Sequence, residues 1–100
     1  MAPATAPETD HLERLSAVLR CVGHPLRLRL LGALEPGERS VTELQEATGE
    51  DQAAVSRQLA VMRSRRVVTA RRDGINVYYR IAEPAVRAIL ACVTPGGGTR

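Results

Sequence analysis

Between residues 40 and 81 the apolar spacing changes from the period of about 3.6 expected of a helix to the period of about 2 expected of a strand. No other feature restricts the fold as strongly. Ser40-Val41-Thr42-Glu43 opens the stretch as a capping box, in which the Ser40 hydroxyl accepts from the Glu43 amide and the Glu43 carboxylate reaches back. A short helix follows through Leu44 and Ala47 to Thr48, Gly49 supplies a turn, and Asp51 caps a second helix that runs to about Arg65. Two short helices joined by a tight glycine-containing turn make a helix-turn-helix. Beyond it, residues 67–71 and 76–81 read as two strands around the turn signal Asp73-Gly74. In the return strand Val77, Tyr79 and Ile81 share one face, and Asn76, Tyr78 and Arg80 share the other.

The flanking segments are helical. From Glu8, Leu12, Leu15, Leu19 and Val22 recur at helical spacing, and Gly23 with Pro25 separates this helix from a second one over residues 25–35. That second helix buries Leu28, Leu31 and Leu34, or a neighbouring stripe through Leu30, and Pro36-Gly37 stops it. A last helix over residues 84–93 carries Val86, Ile89, Leu90 and Val93, too apolar a set for so short a helix to leave exposed. The expected order is α-α-α-α-β-β-α, a mainly α chain with a β-hairpin wing, hence a winged helix-turn-helix in the α+β class. One hundred residues build one core, so a single domain is expected over residues 8–93. Residues 1–7 read as a disordered tail, and residues 94–100, with three consecutive glycines, as a flexible one.

On the second helix of the helix-turn-helix, Val55, Leu59 and Met62 fall within about 60° of one another and form the buried stripe. The opposite side carries Ala53, Ser56, Arg57 and Ala60. Its alanines are small enough to let the helix approach base edges, while Ser56 and Arg57 supply hydrogen bonds. All 14 basic residues are arginine. Residues 56–80 hold seven of them against the single acid Asp73, a balance of +6, so the other residues carry −3 of the chain's net +3. Positive charge gathered on one segment suits a polyanion met with one face, and nucleic acid is the commonest. With no Trp, no Phe and two Tyr, the chain lacks an aromatic platform for stacking single-stranded bases.

These stretches resemble the ArsR/SmtB family of winged helix-turn-helix transcriptional repressors. The matching residues are His24-Pro25-Leu26-Arg27-Leu28-Arg29-Leu30-Leu31, Ser40-Val41-Thr42-Glu43-Leu44, Gln52-Ala53-Ala54-Val55-Ser56-Arg57-Gln58-Leu59, and Arg71-Arg72-Asp73-Gly74 with Val77-Tyr78-Tyr79-Arg80. The resemblance they carry covers roughly residues 12–93. The resemblance implies a homodimer through the first and last helices that binds a pseudo-palindromic duplex operator, with both copies of the helix from Gln52 in successive major grooves. It implies that Gln52, Ala53, Ser56, Arg57 and Gln58 line or read the groove. Arg63, Arg65, Arg71 and Arg72, with Ser40 and Thr42 at a helix start, would then meet phosphates. Where the family has a glycine ending that helix, this chain has Arg66.

The resemblance further implies release from DNA by an inducer. The family's Cys-Val-Cys heavy-metal pattern is replaced by Ser40-Val41-Thr42, and the last helix lacks the Asp and His ligands of its zinc-type site. What remains is Cys21 and Cys92, two thiols able to bind a soft metal ion or to form a disulfide or persulfide bridge. The chain is similar to the family's persulfide-sensing branch, although Gly32 stands where that branch has its first cysteine. Two small residues filling an interface are the alternative for Cys21 and Cys92. His24 is expected to cap or pack, and His11 to be solvated.

No nucleophile, base and orienting group stand in a recognisable order, and no phosphate-binding glycine loop occurs, so no enzyme is expected. No signal peptide is apparent, and the longest apolar stretches, around residues 28–34 and 88–93, fall far short of a membrane span, so a cytoplasmic protein is expected. The competing function is a winged helix used for protein contact, its basic face meeting an acidic partner.

Overall fold

The computed structural model describes residues 5–93. Its order is α1 (Thr5–Val22), α2 (Pro25–Leu34), β1 (Arg39–Ser40), α3 (Val41–Thr48), α4 (Gln52–Ser64), β2 (Val68–Asp73), β3 (Asn76–Ile81) and α5 (Pro84–Val93). Helix α1 starts three residues before the expected Glu8, with Pro7 in its first turn, where a missing backbone donor costs nothing. Of the expected tails at residues 1–7 and 94–100, residues 5–7 lie in α1, and residues 1–4 and 94–100 lie outside the described residues.

The main addition to the expected order is β1. The strands pair antiparallel in the order β1-β3-β2, with Arg39 opposite Tyr79, Ser40 opposite Tyr78, and Val68 opposite Ile81. Two residues carry no legible alternation, so β1 left no sequence signal. Its effect is mechanical, because Ser40 is both a strand residue and the N-cap of α3. The Ser40 hydroxyl accepts from the Glu43 amide, and the Ser40 amide donates to the Glu43 carboxylate at 2.8 Å. The wing is thereby joined to the start of the helix-turn-helix.

Asp73 pairs with Asn76, which leaves Gly74-Ile75 as the turn in place of the expected Asp-Gly. Gly74 has φ +65°, the value demanded at the first central position of a type II′ hairpin turn.

One aliphatic core holds the elements together. Leu26, Leu30, Leu31 and Leu34 of α2 meet Leu44 of α3, Val55, Leu59 and Met62 of α4, Val67, Val68, Ile81, and Val86 and Leu90 of α5. Helix α1 contributes Val18, Cys21 and Val22. Its Leu12 and Leu19, two of the apolar residues at helical spacing, are 60% and 48% exposed. One subunit covers the flank of α1 that holds Val18 and leaves these leucines bare.

Helix α4 ends in a Schellman motif: the Val67 amide donates to the Met62 carbonyl at 2.9 Å and the Arg66 amide to the Arg63 carbonyl at 3.0 Å. The motif requires a left-handed residue at position 66. Arg66 supplies it with φ 62°, the only non-glycine residue at positive φ among the described residues. A side chain there costs roughly 1–2 kcal/mol, partly offset by the greater freedom glycine has in the unfolded chain. Arg66→Gly is therefore expected to raise the unfolding free energy by about 0.5–1 kcal/mol in urea melts. A loss of stability would contradict this account of the turn.

Candidate nucleic-acid interface

The interface is built on the two faces of α4. Asp51 caps the helix, its carboxylate accepting from the Ala54 amide at 2.8 Å. Val55, Leu59 and Met62 are fully buried, as their spacing predicts, and this orientation leaves Ala53, Ser56, Arg57 and Ala60 in solvent. Gln52 and Thr42 are exposed as well. Ser40, half-buried, spends its acceptor capacity on the cap of α3.

Gln58 is placed differently from its expected role. At about 100° per residue it lies roughly 150° from the centre of the outward face, on the side turned to α2. Its Oε1 accepts from Arg27 Nε at 2.7 Å, while Arg27 Nη1 donates to the Cys21 carbonyl at 2.9 Å. One guanidinium thus ties the end of α1, α2 and the middle of α4 together. Arg27 was legible only as part of a resembling stretch, since its partners lie 6 and 31 residues away.

Arg71 is likewise committed within the protein. Its Nη2 and Nε donate to the two carboxylate oxygens of Glu38 at 2.8 and 3.1 Å, Asp73 lies 3.8 Å from Nη1, and the guanidinium sits 5.1 Å from the centre of the Tyr78 ring. The hydrogen bonds from Arg71 hold the Glu38 carboxyl below the usual carboxylate range, and the Arg80 charge adds to this. The pair consequently persists in mild acid and is lost only when pH falls through that lowered value. Glu38 lies outside the charge-rich segment, so its neutralisation of Arg71 could not be counted from the segment alone.

Arg57, Arg63, Arg65, Arg66 and Arg72 are exposed and make no ion pair among the described residues. They are the uncompensated arginines of α4, of the turn that ends it and of the wing. Arg72 stands opposite Val77, on the face of the wing away from Arg71 and Tyr78.

His24 caps α2, its Nδ1 accepting from the Leu26 amide at 3.2 Å, and His11 is exposed, both as expected. Cys21 is packed in the core at 2% exposure, whereas Cys92 is exposed on α5, and both are free thiols. Among the described residues no group of three or more His, Cys, Asp or Glu is placed to hold a metal ion. No described helix is long and apolar enough to cross a membrane.

Residues 22–71 match the family model of a helix-turn-helix domain. The chain is 39% identical over 74 residues to the transcriptional repressor SmtB homolog of Synechocystis sp., covering 74% of this chain and 56% of that protein. It is 40% identical over 86 residues to the HTH-type transcriptional regulator Rv0081 of Mycobacterium tuberculosis, covering 84% of this chain and 75% of that one. Among solved structures it is similar to the homodimeric winged helix-turn-helix DNA-binding domain of Mb0332 from Mycobacterium bovis. That match has a TM-score of 0.74 at 33% identity, over 93% of this chain and 86% of the other. The chain thus spans a little over half the length of the Synechocystis relative and three-quarters of the mycobacterial one.

Proposed function

This chain belongs to the ArsR/SmtB family of winged-helix transcriptional repressors, and from that premise we propose that it is a homodimeric repressor reading duplex DNA through α4. The observation that carries the reading is the outward face of α4, where Ala53, Ser56, Arg57 and Ala60 stand clear of the core and Arg57 makes no ion pair among the described residues. Small alanines admit the helix to a major groove, Ser56 and Arg57 present donors to base edges, and Arg63 and Arg72 neutralise phosphates. Gln52 and Thr42 line the approach. Ser40 and Gln58 act behind the surface by fixing α3 and α4.

The exposed Leu12 and Leu19 of α1, with the half-buried Ile89 of α5, give a second copy an apolar surface to cover. A twofold dimer sets two recognition helices about one helical turn apart. A protein that acts on chromosomal promoters works in the cytoplasm, and the reading assigns it no reaction to catalyse. For a thiol-dependent inducer, Cys92 is the sulfur within reach of solvent, and Cys21 becomes available only if the core opens. Cys92→Ser is the variant that tests this route, because it leaves the packed core untouched.

Selection from a pool of random duplexes, followed by sizing of the complex, tests the proposal. It predicts an inverted repeat bound by two chains. Recovery of no sequence preference would reject it.

Glu38 gives a prediction with an unusual sign. The carboxylate occupies on Arg71 the place a phosphate would take, so Glu38→Gln should strengthen binding to every duplex several-fold. It should also steepen the slope of log affinity against log salt by about 0.9, the value for one added phosphate contact. Weaker binding would mean instead that the pair is needed to hold the wing in position.

A further inference from the structure

A hollow of about 260 Å³ lies between α1, the C-terminal turn of α4, the start of β2 and the turn from β3 into α5. Its floor is apolar, made by Ala17, Val18 and Val67, and its rim carries Arg14, Arg65 and Arg66 with the single acid Glu83. Glu83 is already engaged: Oε2 accepts from the Ala85 amide at 3.1 Å, and Oε1 lies 3.7 Å from Arg14. Arg65 and Arg66 have no acid against them among the described residues. An apolar floor under two uncompensated guanidiniums is complementary to a molecule with an apolar body and an acidic head.

Two further observations single this hollow out. Arg66 stands on the rim in a left-handed backbone conformation that glycine would adopt without strain, so the turn itself gives no reason for an arginine there. The hollow also lies away from the surface that a second copy would cover. At about 100° per residue, Arg14 falls within the buried stripe of α1 and Ala17 flanks it on one side, whereas the exposed Leu12 and Leu19 flank it on the other. A dimer closed over those leucines leaves the hollow open.

We propose that this hollow binds a small amphiphilic organic anion, its acidic head between Arg65 and Arg66 and its apolar body over Ala17, Val18 and Val67. Arg65, expected at phosphates, and its neighbour Arg66 follow α4 directly, so a ligand holding them against α1 neutralises positive charge at the end of the recognition helix. The effector and the duplex then oppose each other, each weakening the other's binding by the same factor. This coupling rests on the DNA-binding reading, whereas the binding site itself does not.

The probe is 8-anilinonaphthalene-1-sulfonate, an aryl anion whose fluorescence rises on transfer to an apolar site, titrated into the full chain. Saturable binding at one site per chain is expected, with amide resonances of Ala17, Val18, Arg66 and Val67 shifting together. Arg66→Gly removes one charge-assisted contact and is expected to weaken the probe about tenfold, in a variant at least as stable as the parent. Ala17→Glu, which places an acid on the floor, is expected to abolish it. No saturable binding, or binding unchanged in both variants, overturns the site. Probe that binds as described yet leaves duplex affinity unaltered overturns the coupling alone, and a parent chain that binds no duplex refutes the functional reading and not the site.

Discussion

Leu59→Ala is expected to lower the unfolding free energy by about 2–5 kcal/mol, the largest stability loss of any single substitution considered for α4. Leu59 is fully buried at the centre of the helix, among Val55 and Met62 of the same stripe and the leucines of α2 and α3. Truncation removes its transfer free energy and leaves a cavity. The surrounding side chains are aliphatic and already close-packed, so collapse around the gap is incomplete. A domain of this size has about 5–15 kcal/mol in total, so the midpoint in urea should fall by a large fraction. The outward face of α4 is untouched, and the folded fraction should bind DNA as the parent does. A loss below about 1 kcal/mol would mean that the core repacks, and that α4 is held less rigidly than its burial implies.

Arg57→Ala should act in the opposite sense, leaving stability within about 0.5 kcal/mol and removing specificity. Arg57 is exposed, has no partner among the described residues, and sits beside Ser56 between the two outward alanines. A good contact from this guanidinium to a base edge is worth about 1–3 kcal/mol, a loss of roughly fivefold to more than a hundredfold on the selected duplex. Binding to unrelated duplex, which depends on phosphate contacts, should change far less. Arg72→Ala is the control, expected to weaken all sequences alike. If Arg57→Ala weakened every duplex equally, Arg57 would be a phosphate contact, and the base-reading residues would lie elsewhere on α4.

The two faces of α4 were readable because a helix repeats its neighbours at fixed angles, so Val55, Leu59 and Met62 define one side and Ser56 and Arg57 the other. Caps were readable for a related reason, since Ser40 with Glu43, and Asp51 with Ala54, act over three residues. Interactions over longer separations were not. Arg71 and Glu38 are 33 residues apart, and Arg27 and Gln58 31, so a count of local charge overstated the free arginines, and the resemblance alone set Gln58 at the groove. On α1 the period of Leu12, Leu19 and Val22 was readable, but not how these residues divide between the core and a partner surface. Val22 meets the core, and the leucines wait on a surface that one subunit does not cover. At Arg66 the departure from the family's glycine was visible in the residue alone, but the left-handed backbone and the hollow beneath it needed three dimensions.

The central claim is that α4 reads sequence, and fluorescence anisotropy of the full chain on the selected duplex and on a scrambled duplex of equal length, at two salt concentrations, tests it most directly. The account predicts a preference of about a thousandfold or more for the selected duplex, with both affinities falling as salt rises. Equal, weak and purely salt-dependent binding to the two would contradict it, and would turn the basic face toward an acidic protein partner.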